Sequence, residues 1–410
     1  MIAKPAVLNR TIMSAALLSA ALGGVAGAAL SAAASSSIVD LGPISITGSN
    51  FDVPALLASL TLKFDGRGGR ALPGGIPGAA AGAASGDTGG DAEPRPTATA
   101  GEDPRDDKGT LSIQIENDKF GGGTDQHYTN GMRASYLFSS DDTPLTAGEI
   151  ARAMPFIPDE GVVRLGLSVG QSIFTPGRKD MSAGANEGRP FAGWLYGGVQ
   201  LTNDTGDQLD SYELQVGVVG PSAGAAEVQD WFHDAIGVSP FDGWDSQLSD
   251  ELGVMLSYER KWRLISEFHP GGLGIAFEPS VGATLGNVHT YASASATVKI
   301  GSDVSSDWGA PRIRTALSGT GYFRPVHDFE WYVFAGVEGR AVARNIFLDG
   351  NSFQDSHSVD KKNLVADLQV GAAVTLGDMR LTFTQVFRTK EYVGQARGDV
   401  FGSVSLSWRI

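Results

Sequence analysis

Two stretches of this chain are dense in groups that could do acid–base or metal chemistry. The first spans residues 111–131. It opens as a strand, with Leu111, Ile113 and Ile115 alternating with Ser112, Gln114 and Glu116. It then breaks into Asn117, Asp118, three glycines at 121–123, Asp125, His127, Thr129 and Asn130, and alternation resumes at Met132. A turn needs only glycine and one Asn or Asp. The excess of oxygen and nitrogen ligands points to half of a site. The second stretch is 224–236, where Val228, Trp231, Phe232 and Ala235 recur at helical spacing. Pro221 upstream and Gly237 downstream supply start and stop signals. On that helix Gln229 and His233 are one turn apart and share a face. A His held by a helix, with Trp231 and Phe232 to exclude water, suits a general base. The same spacing also fits a helix that merely packs over a loop and leaves His233 solvated.

Other chemistries find little support. His127, His269, His289, His327 and His357 have no partner at ligand spacing. Gly166-Leu167-Ser168-Val169-Gly170 matches a nucleophile elbow, but it lies inside an alternating strand with no helix following. The glycines at 121–123 lack the Lys-Ser/Thr of a phosphate-binding loop. The chain has no cysteine, which excludes thiol catalysis and thiolate metal sites. What remains is hydrolysis of an ester or amide by His-activated water. A hard cation held by oxygen ligands such as Asp118 would stabilise the oxyanion.

A net charge of −15 argues against a nucleic-acid partner. The N-terminus reads as a signal peptide over residues 1–34: Lys4 and Arg10 precede an apolar Ala- and Leu-rich run, which ends in Ala32-Ala33-Ala34. Residues 35–64 form a short segment that periodicity does not assign. Residues 65–108 are rich in Gly, Ala, Pro and Asp, which predicts a disordered linker.

From 109 to 410 the texture is that of many strands. The last is the clearest: Gly402, Val404, Leu406, Trp408 and Ile410 form one face, and Ser403, Ser405, Ser407 and Arg409 the other. One apolar and one small-polar face, repeated without βαβ helices and after an export signal, predicts a transmembrane barrel with a polar interior that holds Arg133, Glu213 and Arg409. A soluble sandwich or lipocalin-like barrel also alternates. Candidate strands are 110–116, 131–138, 162–171, 191–201, 210–219, 253–262, 272–286, 289–300, 312–321, 330–344, 364–376, 378–388 and 399–410. Bacterial barrels use an even number of strands. The weakest candidate, 312–321, is interrupted by Ser-Gly-Thr-Gly and is assigned to a loop. The expected fold is therefore all-β: a twelve-stranded antiparallel outer-membrane β-barrel with a short helix in an extracellular loop.

Several blocks carry a resemblance. They are Glu116-Asn117-Asp118, Tyr128-Thr129-Asn130-Gly131, Gln171-Ser172-Ile173-Phe174-Thr175-Pro176, Val219-Gly220-Pro221 leading to Gln229 and His233, and Gly243-Trp244-Asp245 with Gln247-Leu248. In order and relative spacing they resemble the outer-membrane lipid A deacylase family across 109–410. The resemblance implies a twelve-stranded barrel in the Gram-negative outer membrane. Its active site would lie between barrel wall and outer leaflet, and it would remove the ester-linked 3′-acyloxyacyl chain of lipid A with Ca2+. His233 would then be the general base, Gln229 its neighbour, Asn117 and Asp118 the cation corner with Asp118 as the carboxylate, and Thr129 a lining residue. Lys179 would meet a lipid A phosphate. The partners implied are lipid A, or lipopolysaccharide, and the membrane itself; nothing requires an oligomer. The alternatives are an acyl hydrolase of glycerophospholipids and a non-enzymatic pore or structural barrel.

Overall fold

A computed structural model describes residues 108–120, 127–177, 188–236, 243–266, 273–309, 313 and 321–410, with the backbone alone at 232–236 and 265–266. The segments assigned to signal peptide, unassigned region and linker lie outside the described residues, apart from Lys108.

Twelve long strands run antiparallel: β1 (Thr110–Asn117), β2 (His127–Leu137), β3 (Val162–Thr175), β4 (Ala192–Asp204), β5 (Gln208–Val219), β6 (Glu251–Trp262), β7 (Gly274–Gly286), β8 (His289–Gly301), β9 (Phe329–Asn345), β10 (Leu364–Leu376), β11 (Met379–Arg388) and β12 (Asp399–Arg409). A three-residue strand, Leu264–Ser266, continues β6 past Arg263 and pairs with β7. Neighbours in sequence are neighbours in the sheet, and β1 pairs with β12 to close the ring. Closure leaves no unpaired sheet edge, the condition for strands in hydrocarbon. Both ends of the barrel domain lie at one rim, which is periplasmic for an even-stranded barrel.

Alternation sorts the side chains as the sequence predicts. On β1, Ser112, Gln114 and Glu116 are buried in the lumen, while Ile113 is 49% exposed on the outer wall. The outer wall is an apolar belt that includes Leu167, Val169, Val199, Leu214, Val216, Leu256 and Leu406. Inside, Arg133 pairs with Glu213 at 2.9 Å, and Arg340 with Asp367 at 3.1 Å. This is a core turned inside out, stable only where lipid replaces water outside.

The 302–328 connection between β8 and β9 enters the lumen, and its described residues carry no strand beyond the single bridge Asp307–Phe323. Assigning the weak candidate 312–321 to a loop agrees with this. Asp307 anchors the segment. It accepts from Lys299 Nζ at 2.7 Å and from the Tyr332 hydroxyl at 2.7 Å, and it pairs with Arg380. Asp307→Ala would remove the carboxylate paired with buried Arg380 and leave Lys299 only Glu278 among the described residues, at 2.6 Å; breaking a buried pair typically costs roughly 3–5 kcal/mol. The expected result is a lower temperature for the folded-to-unfolded gel shift in detergent, while Asp328→Ala, at an exposed site, leaves it unchanged.

Two strands reach four residues further than predicted. β2 starts at His127 rather than 131, and β3 runs to Thr175 rather than 171. Their ends are polar or mixed, which reads as loop in a sequence. At the end of β3 another element covers Ile173 on the outer wall, and at the start of β2 His127 is held by Asp399 and Tyr392.

Candidate active site

The covering element is a helix, α2 (Ala225–Ile236), in the extracellular β5–β6 connection. Beside it lies a patch that breaks the barrel's own pattern, with Gln171 and Ile173 of β3 touching the helix or the turn before it. Asn117, Asn130, Gln171, Ile173 and Thr175 have the parity of Ile115, Met132 and Val169, so they face outward, yet all are buried. Thr129 joins them through a bulge. The β2–β3 register slips between Tyr128 and Asn130, and the extra residue places the Thr129 hydroxyl 2.7 Å from that of Thr175. Asn117 ends β1 by accepting from the Lys119 backbone N–H at 2.8 Å, an Asx-type turn. Asp118 follows and is buried.

The start of α2 is seated closely on the wall. Gly224 ends the preceding turn in the left-handed region at φ 66°. Gln171 Nε2 donates to the Ala223 carbonyl at 2.6 Å. Ala225 packs with Ile173, Phe191 and Trp244, and Ala226 and Val228 pack against that group. Gly193 of β4 makes room: a Cβ there would lie 2.6 Å from the Ala225 Cβ. One turn on, Gln229 is buried, and its Oε1 accepts from the Trp244 indole at 3.0 Å. An indole N–H only donates, so it holds the amide oxygen and turns the amide nitrogen away. That nitrogen is buried and has no hydrogen-bond partner among the described residues. His233 lies one turn beyond Gln229 on the same face of the helix backbone. Its side chain lies outside the described residues, as do Lys179, Asp125 and His269.

The helix is where predicted, but its faces are not. Trp231, expected in the packing stripe, is 68% exposed. The stripe rule assumes water outside; here the outside is the membrane interface, where a Trp is favoured. Expected as screens for His233, Trp231 faces away and Phe232's side chain lies outside the described residues. Trp244 instead orders the neighbouring Gln229. Asn130 is the strand partner of Asn117 on the outer wall. His127 does have partners: Nδ1 lies 2.5 Å from Asp399 Oδ1 and Nε2 lies 3.0 Å from the Tyr392 hydroxyl. Tyr392 comes from the β11–β12 connection and Asp399 from the start of β12, beyond the reach of any spacing rule. In that connection burial raises the Glu391 carboxyl's pKa, but Arg388, Arg189 and Arg340 outweigh it and hold the group below the usual carboxylate range. Glu116 faces the lumen and accepts from the Ile313 backbone N–H at 2.8 Å, so it braces the corner from inside. Ser168 sits in a strand and donates to Glu213 at 3.3 Å, in keeping with a chance elbow match.

Asp118, Asn117, Thr129 and Thr175 offer hard oxygens, which fit calcium in kind. Among the described residues no cluster of three or more His, Asp or Glu gathers there.

The family model for outer membrane protein LpxR matches residues 88–410. The chain belongs to the LpxR family. The LpxR match begins ahead of β1, within the predicted linker. LpxR from Salmonella typhimurium shares 22% identity and a TM-score of 0.58 over 73% of this chain and 99% of that one, which shows the same barrel fold. The β domain of the Bordetella autotransporter BrkA gives 10% identity and a TM-score of 0.35 over 74% of this chain and 97% of its own. No curated protein matches in sequence. Membership of the LpxR family and the lipid-facing belt make this an outer-membrane barrel, with α2 at its extracellular rim.

Proposed function

We propose that this protein is a lipid A deacylase that hydrolyses the ester-linked 3′-acyloxyacyl chain with water activated by His233. The observation that carries the reading is the buried polar patch on the outer wall. Polar groups on a lipid-facing surface are costly. Here they are gathered at the outer-leaflet rim, beside a helix that is seated on Gln171 and Ile173 and carries Gln229 and His233. A substrate that stays in the membrane can reach such a site from the side. The lumen, crossed by Trp308, Ile313, Phe323 and buried ion pairs, argues against a passive pore.

In this reading the His233 imidazole takes a proton as water attacks the ester carbonyl, then gives it to the sugar oxygen as the acyl C–O bond breaks, which releases the fatty acid and the sugar hydroxyl. Gln229 Nε2 orients that water or the carbonyl. Thr129 and Asn117 line the corner. Calcium, held by the Asp118 carboxylate, would supply charge stabilisation for the oxyanion. Lys179 would contact a lipid A phosphate.

Mass spectrometry of lipid A from outer membranes carrying the protein tests this. Loss of a hydroxyacyl-bearing chain with calcium, and none with a chelator, is the expected result. Asp118→Ala should stop the loss and be partly rescued by raised calcium. Unchanged lipid A with released lysophospholipid would reassign the substrate.

A further inference from the structure

A second helix, α1 (Leu145–Ala153), lies in the β2–β3 connection, at the periplasmic rim. It does not project into the periplasm. Ala147 and Ala151 are buried against Leu201 and Tyr212, with Met154, Ile157, Val163, Leu165 and Tyr258 around them. Leu201, Val163 and Leu165 have the parity of the outward-facing Val199, Leu167 and Val169, so α1 is packed on the outer wall. Polar ties hold the segment after it. The Tyr212 hydroxyl donates to the Pro155 carbonyl at 2.6 Å, and Asn203 Nδ2 to the Glu160 carbonyl at 2.9 Å. Arg260 donates to the Phe156 carbonyl while its Nε is bonded to Asp210 at 2.8 Å.

This docking leaves three large apolar groups outside, beside the exposed Thr146, Glu149 and Arg152. Leu145, Ile150 and Phe156 are 90%, 52% and 70% exposed. Phe156 holds a left-handed φ of 68°, an uncommon state for a bulky residue. At 100° per residue Ile150 and Ala153 fall on one flank of α1, and Gly148 and Arg152 on the other. These exposed groups continue the lipid-facing belt that begins at Leu167 on the same strand.

We infer that α1 and Phe156 form an interfacial anchor that inserts into the headgroup–acyl boundary of periplasmic-leaflet phospholipid. Continuity with the lipid belt selects this occupant, and spacing agrees. Leu165 beneath α1 and Ile173 beneath α2 are separated by about 26 Å of strand at ~3.3 Å per residue. With the strand tilt of ~40° this is roughly 20 Å along the membrane normal, comparable to the apolar band of such barrels. The two helices thus bracket the bilayer on one sector of wall, and α1 sets the depth at which that sector sits.

The chain's lack of cysteine permits a clean test. Ile150→Cys, Phe156→Cys and Glu149→Cys are each spin-labelled in the full protein, in vesicles of phosphatidylethanolamine and phosphatidylglycerol. Heat-modifiability checks that each variant is folded. Accessibility to oxygen and to an aqueous nickel chelate is then compared. The expected oxygen-to-nickel ratio at 150 and 156 exceeds that at 149 several-fold. Equal ratios at all three sites would overturn the anchor. So would spin–spin broadening, which would assign the face to a second copy of the chain.

Discussion

His233→Ala should eliminate detectable loss of the hydroxyacyl-bearing chain from lipid A while leaving a folded, heat-modifiable barrel. Losing a positioned general base typically lowers a rate by about 10²–10⁴-fold. The fold should be spared because α2 is seated by other residues: Ala225, Val228 and Gln229 face the wall, and Gln171 ties the turn before them. Alanine is also the best helix former. The comparison that isolates His233 is Trp231→Ala. That side chain is mostly exposed on the same helix, so its loss should leave turnover largely intact. Full deacylation by the His233 variant, measured in the same membranes, would remove the proposed base.

The barrel was legible in the sequence because each strand carries two opposed signals. On β12 the outward Val404, Leu406 and Trp408 alternate with the buried Ser403, Ser405 and Ser407, and no folded neighbour is needed to see it. Strand ends were less legible, since Ile173 owes its burial to a helix far along the chain. The helix was legible from its spacing, but its orientation was not. The same apolar residue serves a protein core or a lipid interface, and only the parity of the strand beneath α2 distinguishes them. Contacts of long sequence separation were not legible at all. Glu116 meets Ile313, and His127 meets Tyr392 and Asp399, only because the ring closes and its connections fold inward. Trp244 stood in a recognisable motif, yet nothing in its spacing says that its indole orders Gln229.

Gly193→Val should separate the fold of the barrel from the activity of the site. A Cβ at 193 would lie 2.6 Å from the Ala225 Cβ and 2.9 Å from the Ala223 Cβ. Neither atom is the end of a flexible side chain, so the start of α2 must move. The strand itself gains, because Val is a better strand residue than Gly, and position 193 pairs through its backbone with Ile173. Heat-modifiability should therefore be kept. The displaced helix carries Gln229 and His233 away from Asn117, Asp118 and Thr129, which are fixed to β1, β2 and the turn between them. A misplacement of ~1 Å can cost about 10²-fold in rate. Deacylation should fall by that order in Gly193→Val and by less in Gly193→Ala, which adds only the first carbon. A graded loss with an unchanged gel shift is the signature of a site assembled between wall and helix. Undiminished turnover in the Val variant would mean that the seat of α2 on β4 does not set the reacting geometry.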